Sequence, residues 1–208
     1  MYKTRLDLGK RKSQTIAVAA VFSGLCALGN MIGAINIVSL ESIFTFLCAT
    51  LFGPIIAVFA ALTGELISWI VKVPDQAMFY WTTLAADAFT ALIIAYGRLC
   101  AFPLAEKKLL DERKARILSE SAFYVLAVSA RYIFYQLSDI MGLNLGWLAP
   151  SGSNTIDQQI VVYGIGNMIR WIIKVAMLPI CIMLVEMIRK NTRNIYFDIE
   201  RIKKETAA

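Results

Sequence analysis

Stretches of about 20 predominantly apolar residues recur along almost all of this 208-residue chain, and that recurrence decides its fold class. A bilayer's hydrocarbon layer, about 30 Å thick, takes roughly 20 residues of α-helix, which satisfies its own backbone groups without water. Only 17% of the residues are charged and 58% are hydrophobic, against about 25% charged in soluble domains. The expected fold is all-α integral membrane: a single domain, 1–208, of about six transmembrane helices. The expected spans are about 14–35, 37–51, 54–71, 77–99, 121–143 and 157–188.

Local signals punctuate these spans. The second is short and carries Ser42 and Thr45, so it crosses only if tilted or if its flanking residues reach outward. Gly53-Pro54 breaks the chain and starts the third. Pro74-Asp75 marks a turn, and the charged stretch 101–120 separates the fourth and fifth spans. Residues 144–154 read as a loop, with Asp157 as the cap of the sixth span. Ile195, Ile199 and Ile202 predict a short amphipathic helix on the membrane surface.

The basic residues set the orientation. The N-terminal tail holds five, the segment between spans four and five holds six, and the C-terminal tail holds six, together 17 of the 21 Lys and Arg. Six crossings put all three segments on one side, and the positive-inside rule makes that side the cytoplasm. The net charge of +6 and pI near 9.2 therefore reflect topology and do not point to nucleic acid. The expected location is the plasma membrane of a prokaryote, as a multi-pass protein.

Several chemistries are excluded or unsupported. The chain has no histidine, which removes HExxH zinc sites, Ser-His-Asp triads and Cys-His dyads. Cys26, Cys48, Cys100 and Cys181 lie in or beside apolar runs without CxxC spacing and read as packing residues. No cofactor, metal site or catalytic residue is expected. The first apolar run is too long for a signal-peptide core. No Walker-type loop is present, so any ATP hydrolysis belongs to a partner. No internal repeat suggests an inverted-repeat carrier.

The informative residues are charges where charges are costly, about 3 kcal/mol each at mid-bilayer. Arg131, Arg170 and Lys174 fall inside spans, as do Glu65 and Asp87. Glu41 and Asp139 lie nearer outer ends, Glu186 nearer an inner end, and Lys72 at a helix end. At about 1.5 Å per residue, Glu65, Asp87, Arg131 and Arg170 fall in one mid-to-outer layer, with Lys174 a turn deeper. Tyr163, Asn167, Arg170 and Lys174 form one helical stripe, with Trp171 beside it. Tyr124, Val128, Arg131, Tyr135 and Ser138 form a second on the fifth span.

Two readings of this layer stay open. Glu65 and Asp87 neutralise two of the cations as internal salt bridges. Alternatively the cations bind a small-molecule ligand. Three cations against two anions leave one positive charge, which suits a carboxylate gripped by Arg, and the aromatic residues suit a flat ring. On the first span, Ala19, Ser23 and Ala27 repeat at four residues, as do Ala20 with Gly24 and Gly29 with Gly33. Small residues at this spacing let another helix approach, either inside the bundle or from a partner subunit.

The segment Leu51-Phe52-Gly53-Pro54-Ile55-Ile56-Ala57-Val58-Phe59-Ala60-Ala61-Leu62-Thr63-Gly64-Glu65-Leu66 has a recognisable shape. An apolar run leads to Gly-Pro, small residues, then Gly, an acidic residue and Leu. With Ile35-Asn36-Ile37 and the six-span layout, it resembles the substrate-binding S components of energy-coupling-factor (ECF) vitamin transporters. That family more often has Asp where this chain has Glu65.

The resemblance implies capture of a vitamin or precursor from outside. The pocket would lie in the outer half of helices four to six, capped by the loop between the first two. It also implies a transmembrane coupling subunit and two ATPase subunits as partners, the first helix docking on the coupling subunit. Ala19 and Ser23 are the closest match to the family's docking ridge, which usually has Ala at both ends.

Two other function classes remain as expectations. Glu65, Asp87 and Lys174 could perform acid–base chemistry on a lipid or isoprenoid substrate in an intramembrane enzyme. A structural or assembly protein would have its buried cations fully paired.

Overall fold

A computed structural model of the chain describes residues 12–35, 40–72, 81–109, 112–146, 148 and 155–191, and all its regular structure is helical. The helices are α1 (Lys12–Ile35), α2 (Glu41–Phe52), α3 (Pro54–Lys72), α4 (Trp81–Leu109), α5 (Glu112–Asn144), α6 (Ile156–Ala176) and α7 (Leu178–Asn191). Among the described residues, four rods are long and apolar enough to cross a membrane: α1, α3, α5 and the α6–α7 pair. The expected surface helix at Ile195, Ile199 and Ile202, and the turn at Pro74-Asp75, lie outside the described residues.

Four expected spans have different bounds. The second is α2, only 12 residues and so about 18 Å long. It is too short for a bilayer, and Glu41, Ser42, Ile43 and every residue from Thr45 to Leu51 are buried. It is a central pillar of the bundle, in contact with α1, α3, α4, α5 and α7. The stretch 101–120 is largely helical, because α4 runs on to Leu109 and α5 begins at Glu112. Leu, Ala, Glu, Lys and Arg dominate that stretch and are strong helix formers, so the helices continue where the apolar runs stop.

The sixth span is interrupted at Met177. Pro179 has no N–H and its ring displaces the preceding turn, so the rod breaks there. The Met177 N–H donates to the carbonyls of Ile173 (3.0 Å) and Lys174 (3.2 Å), and the Cys181 N–H picks up Met177 at 3.1 Å. The start of α6 is capped by Thr155, not Asp157. The Thr155 hydroxyl accepts from the Gln158 N–H at 3.3 Å, and the Gln158 side chain accepts from the Thr155 N–H at 3.0 Å.

Two glycines permit the tight geometry around α2 and α3. Gly53 joins these helices with φ of 87°, a left-handed conformation that side chains disfavour. Gly64 lies where α1 crosses α3, and a Cβ there would meet Cys26 Cβ at 2.6 Å and the Ser23 carbonyl at 3.0 Å. The core between the helices is built from Phe46, Leu51, Ile94, Tyr124 and Val128, with Phe46 and Tyr124 edge to face at 5.0 Å. At one end, Arg189 on α7 grips Glu120 on α5 in a bidentate pair of 2.5 and 3.2 Å, both side chains buried. Glu186 joins Arg113, Arg116 and Arg189 around it.

Candidate functional site

The charges inside the apolar helices fall into two groups. The first is closed and centres on Arg131 of α5, which is 4% exposed. Its Nη2 lies 2.6 Å from Glu41 Oε2 on α2 and 2.6 Å from Asp87 Oδ1 on α4. The same nitrogen donates to the Tyr135 hydroxyl at 3.0 Å, with the Tyr135 ring centre 5.2 Å from the guanidinium carbon. One turn of helix separates Arg131 from Tyr135, so a single face of α5 supplies both.

Glu65 of α3 completes this group. It accepts from the Asn30 amide on α1, from Trp69 Nε1 at 2.9 Å and from the Ser68 hydroxyl at 3.5 Å. One carboxylate oxygen from each of Glu41, Glu65 and Asp87 lies within 4.8 Å of the others. Those three oxygens are the donor set a cation would need, but the Arg131 guanidinium stands between Glu41 and Asp87. Lys174 of α6 interacts electrostatically with Glu41, Asp87 and Arg131. Its carbonyl, beside the Met177 break, accepts from the Tyr124 hydroxyl at 2.9 Å.

The second group is open and lies between α5 and α6. Asn167 donates to Asp139 Oδ2 at 2.7 Å and to Gln136 Oε1 at 3.3 Å. Trp171 donates to the Ser129 hydroxyl at 3.0 Å, and its ring lies 6.5 Å from that of Tyr132. Tyr163 is half-buried one turn before Asn167. Arg170 is exposed, and Asp139 feels its charge. Among the described residues Arg170 makes no hydrogen bond or close ion pair.

This partition corrects the expected charge balance. Glu41 is not a peripheral residue near an outer end. It begins a short buried helix and so reaches the depth of Arg131. Counting it, three carboxylates surround Arg131 and Lys174, and the predicted surplus of positive charge at Arg131 is gone. Arg131 is held by the protein itself. Of the three cations, Arg170 alone is both exposed and unbonded among the described residues. Gln136, Asp139, Asn30 and Trp69 also belong to these groups and were not expected. The usable signal for Gln136 and Asp139 was their spacing from Tyr132, i+4 and i+7 on the same helix.

The small residues of α1 also divide. Ala19, Ser23 and Ala27 are buried, with the Ser23 carbonyl and Ala27 nitrogen packed on Gly64 of α3, so the expected docking ridge of Ala19 and Ser23 is covered by the bundle itself. Ala20 is exposed, and a Cβ added at Gly24 would meet nothing within 4 Å. The spacing therefore serves the bundle on one side and leaves Ala20 and Gly24 on the other.

In comparisons with known proteins, no family model, no curated protein and no solved structure matches this chain.

Proposed function

We propose that this chain is the substrate-binding membrane subunit of an ECF-type importer. In this reading it is a multi-pass protein of a prokaryotic plasma membrane. It takes up a vitamin-like small molecule with an acidic group from outside, and a transmembrane coupling subunit with two ATPases powers release.

The observation that carries the reading is Arg170. It stands about 21 Å along α6 from Ile156. Its helix neighbours Met168, Ile169 and Ile172 are exposed apolar residues. A guanidinium at that depth costs about 3 kcal/mol in lipid, and Asp139 acts on Arg170 without a close ion pair, which leaves room for an anionic partner. Asn167, Trp171 and Tyr163 on or beside the same stripe supply hydrogen-bonding and flat apolar contacts. A carboxylate gripped by Arg170, with a ring against Trp171, uses all of them. Ala20 and Gly24, facing away from the bundle, give the coupling subunit a close approach to α1.

The test is gentle purification from native membranes followed by mass spectrometry. The proposal predicts a retained small acid and co-purifying ATPase subunits. A well-folded preparation with neither contradicts it.

A further inference from the structure

The closed charge group has features that the transport reading does not use. Glu41 and Asp87 are each 1% exposed. Both touch the same nitrogen of Arg131 at 2.6 Å, yet the Asp87 contact is not aligned as a hydrogen bond. Neither Asp87 oxygen nor Glu41 Oε1 receives a hydrogen bond. One oxygen of each carboxyl group lies within 4.8 Å of an oxygen of the other. Two carboxylates have no hydrogen to share, so a bond between them requires one proton. Packed together away from water, two like charges do not both persist.

The surrounding groups define how many protons are needed. Facing the pair are Glu65 on α3, Arg131 and Tyr135 on α5, and Lys174 on α6. Cys26 of α1 also lies near, while Cys181 of α7 faces Tyr124. Glu65 already receives donors on both oxygens, which favours its ionised form. Three carboxylates then oppose two cations, Arg131 and Lys174. One added unit of positive charge makes the interior neutral. A divalent ion would overshoot, and Arg131 stands in the space between Glu41 and Asp87.

We propose that Asp87 and Glu41 bind a single proton between them in the interior of the bundle, with Arg131 clamping the pair. The proton comes from water, forms an O–H bond on one carboxyl and is donated to the other. It supplies the hydrogen bond that the orphaned oxygens lack. This site is independent of the importer reading and stands or falls without it.

Infrared spectroscopy of the full chain tests it, in a maltoside detergent that has no carbonyl of its own. A protonated carboxyl has a C=O stretch that a carboxylate lacks. The expected result is such a band at neutral pH that moves when the aspartate and glutamate side-chain carboxyls carry carbon-13. It is lost in Asp87→Asn and in Glu41→Gln, and it persists in Glu65→Gln. Isotope labelling reads the unsubstituted protein, so the test survives a variant that does not fold. Absence of the band at neutral pH overturns the proposal, as does its persistence in Asp87→Asn. Replacement of choline by sodium is expected to leave the band unchanged. Its loss in sodium would make the occupant a metal cation and overturn the proton assignment.

Discussion

Replacing Arg131 by alanine removes the counter-charge from Glu41 and Asp87 at once. All three side chains are almost fully buried, and both contacts are 2.6 Å. Breaking a buried pair by removing one partner costs about 3–5 kcal/mol, because the remaining charge has nowhere to go. For a chain of this size each kcal/mol moves the unfolding midpoint by about 2–4 °C. The expected loss is therefore roughly 6–20 °C in apparent Tm, read by intrinsic fluorescence in detergent. The cost arises from stranded carboxylates, so a triple change, Arg131→Met with Glu41→Gln and Asp87→Asn, should recover more than half of it. A drop of under about 2 °C for Arg131→Ala refutes the argument, because it would mean the carboxylates do not need the guanidinium. A triple variant no more stable than Arg131→Ala would place the loss in packing instead.

Three further outcomes follow from the same geometry. Asp87→Asn keeps a donor for Glu41 and should stay within about 1 kcal/mol of the parent in detergent unfolding, whereas Asp87→Ala should lose about 2 kcal/mol or more by leaving that oxygen orphaned. Arg189→Ala removes the buried guanidinium that grips Glu120, which is 1% exposed, and should cost about 3 kcal/mol, with a smaller loss for Arg113→Ala because that side chain is largely exposed. Gly64→Val forces α1 away from α3, where a Cβ already meets Cys26 at 2.6 Å, and should lower the amount of folded protein in membranes as judged by size-exclusion chromatography.

Much of the helical architecture is legible in the apolar runs, since a bilayer demands long stretches and the chain supplies them. The Gly53-Pro54 junction is also legible, because few residues other than glycine accept its backbone angle. The break at Met177 was readable from Pro179, and the α6 cap from Thr155 and Gln158, three residues apart. The charge cluster was only half legible. Arg131, Asp87 and Glu65 stand out as charges inside apolar runs.

Glu41 was misplaced because depth was counted on the premise that its helix crosses the membrane. A 12-residue helix buried on most sides begins mid-bundle, and its first-turn acid lands beside Arg131. Which acid meets which base depends on how neighbouring helices are staggered. That stagger is set by packing between helices and leaves no periodic mark in one sequence. The same holds for the two faces of α1. Four-residue spacing names both small-residue stripes, but only the packing of Gly64 on α3 against Ser23 and Ala27 turns that stripe inward.

The central claim is that the open face of α6 holds a small acid through Arg170. Native mass spectrometry of the protein ejected from detergent measures this directly. We expect a bound small molecule on the parent, lost in Arg170→Ala and partly kept in Arg170→Lys, at unchanged Tm. The same adduct on the parent and on Arg170→Ala, in equal amount, would contradict it.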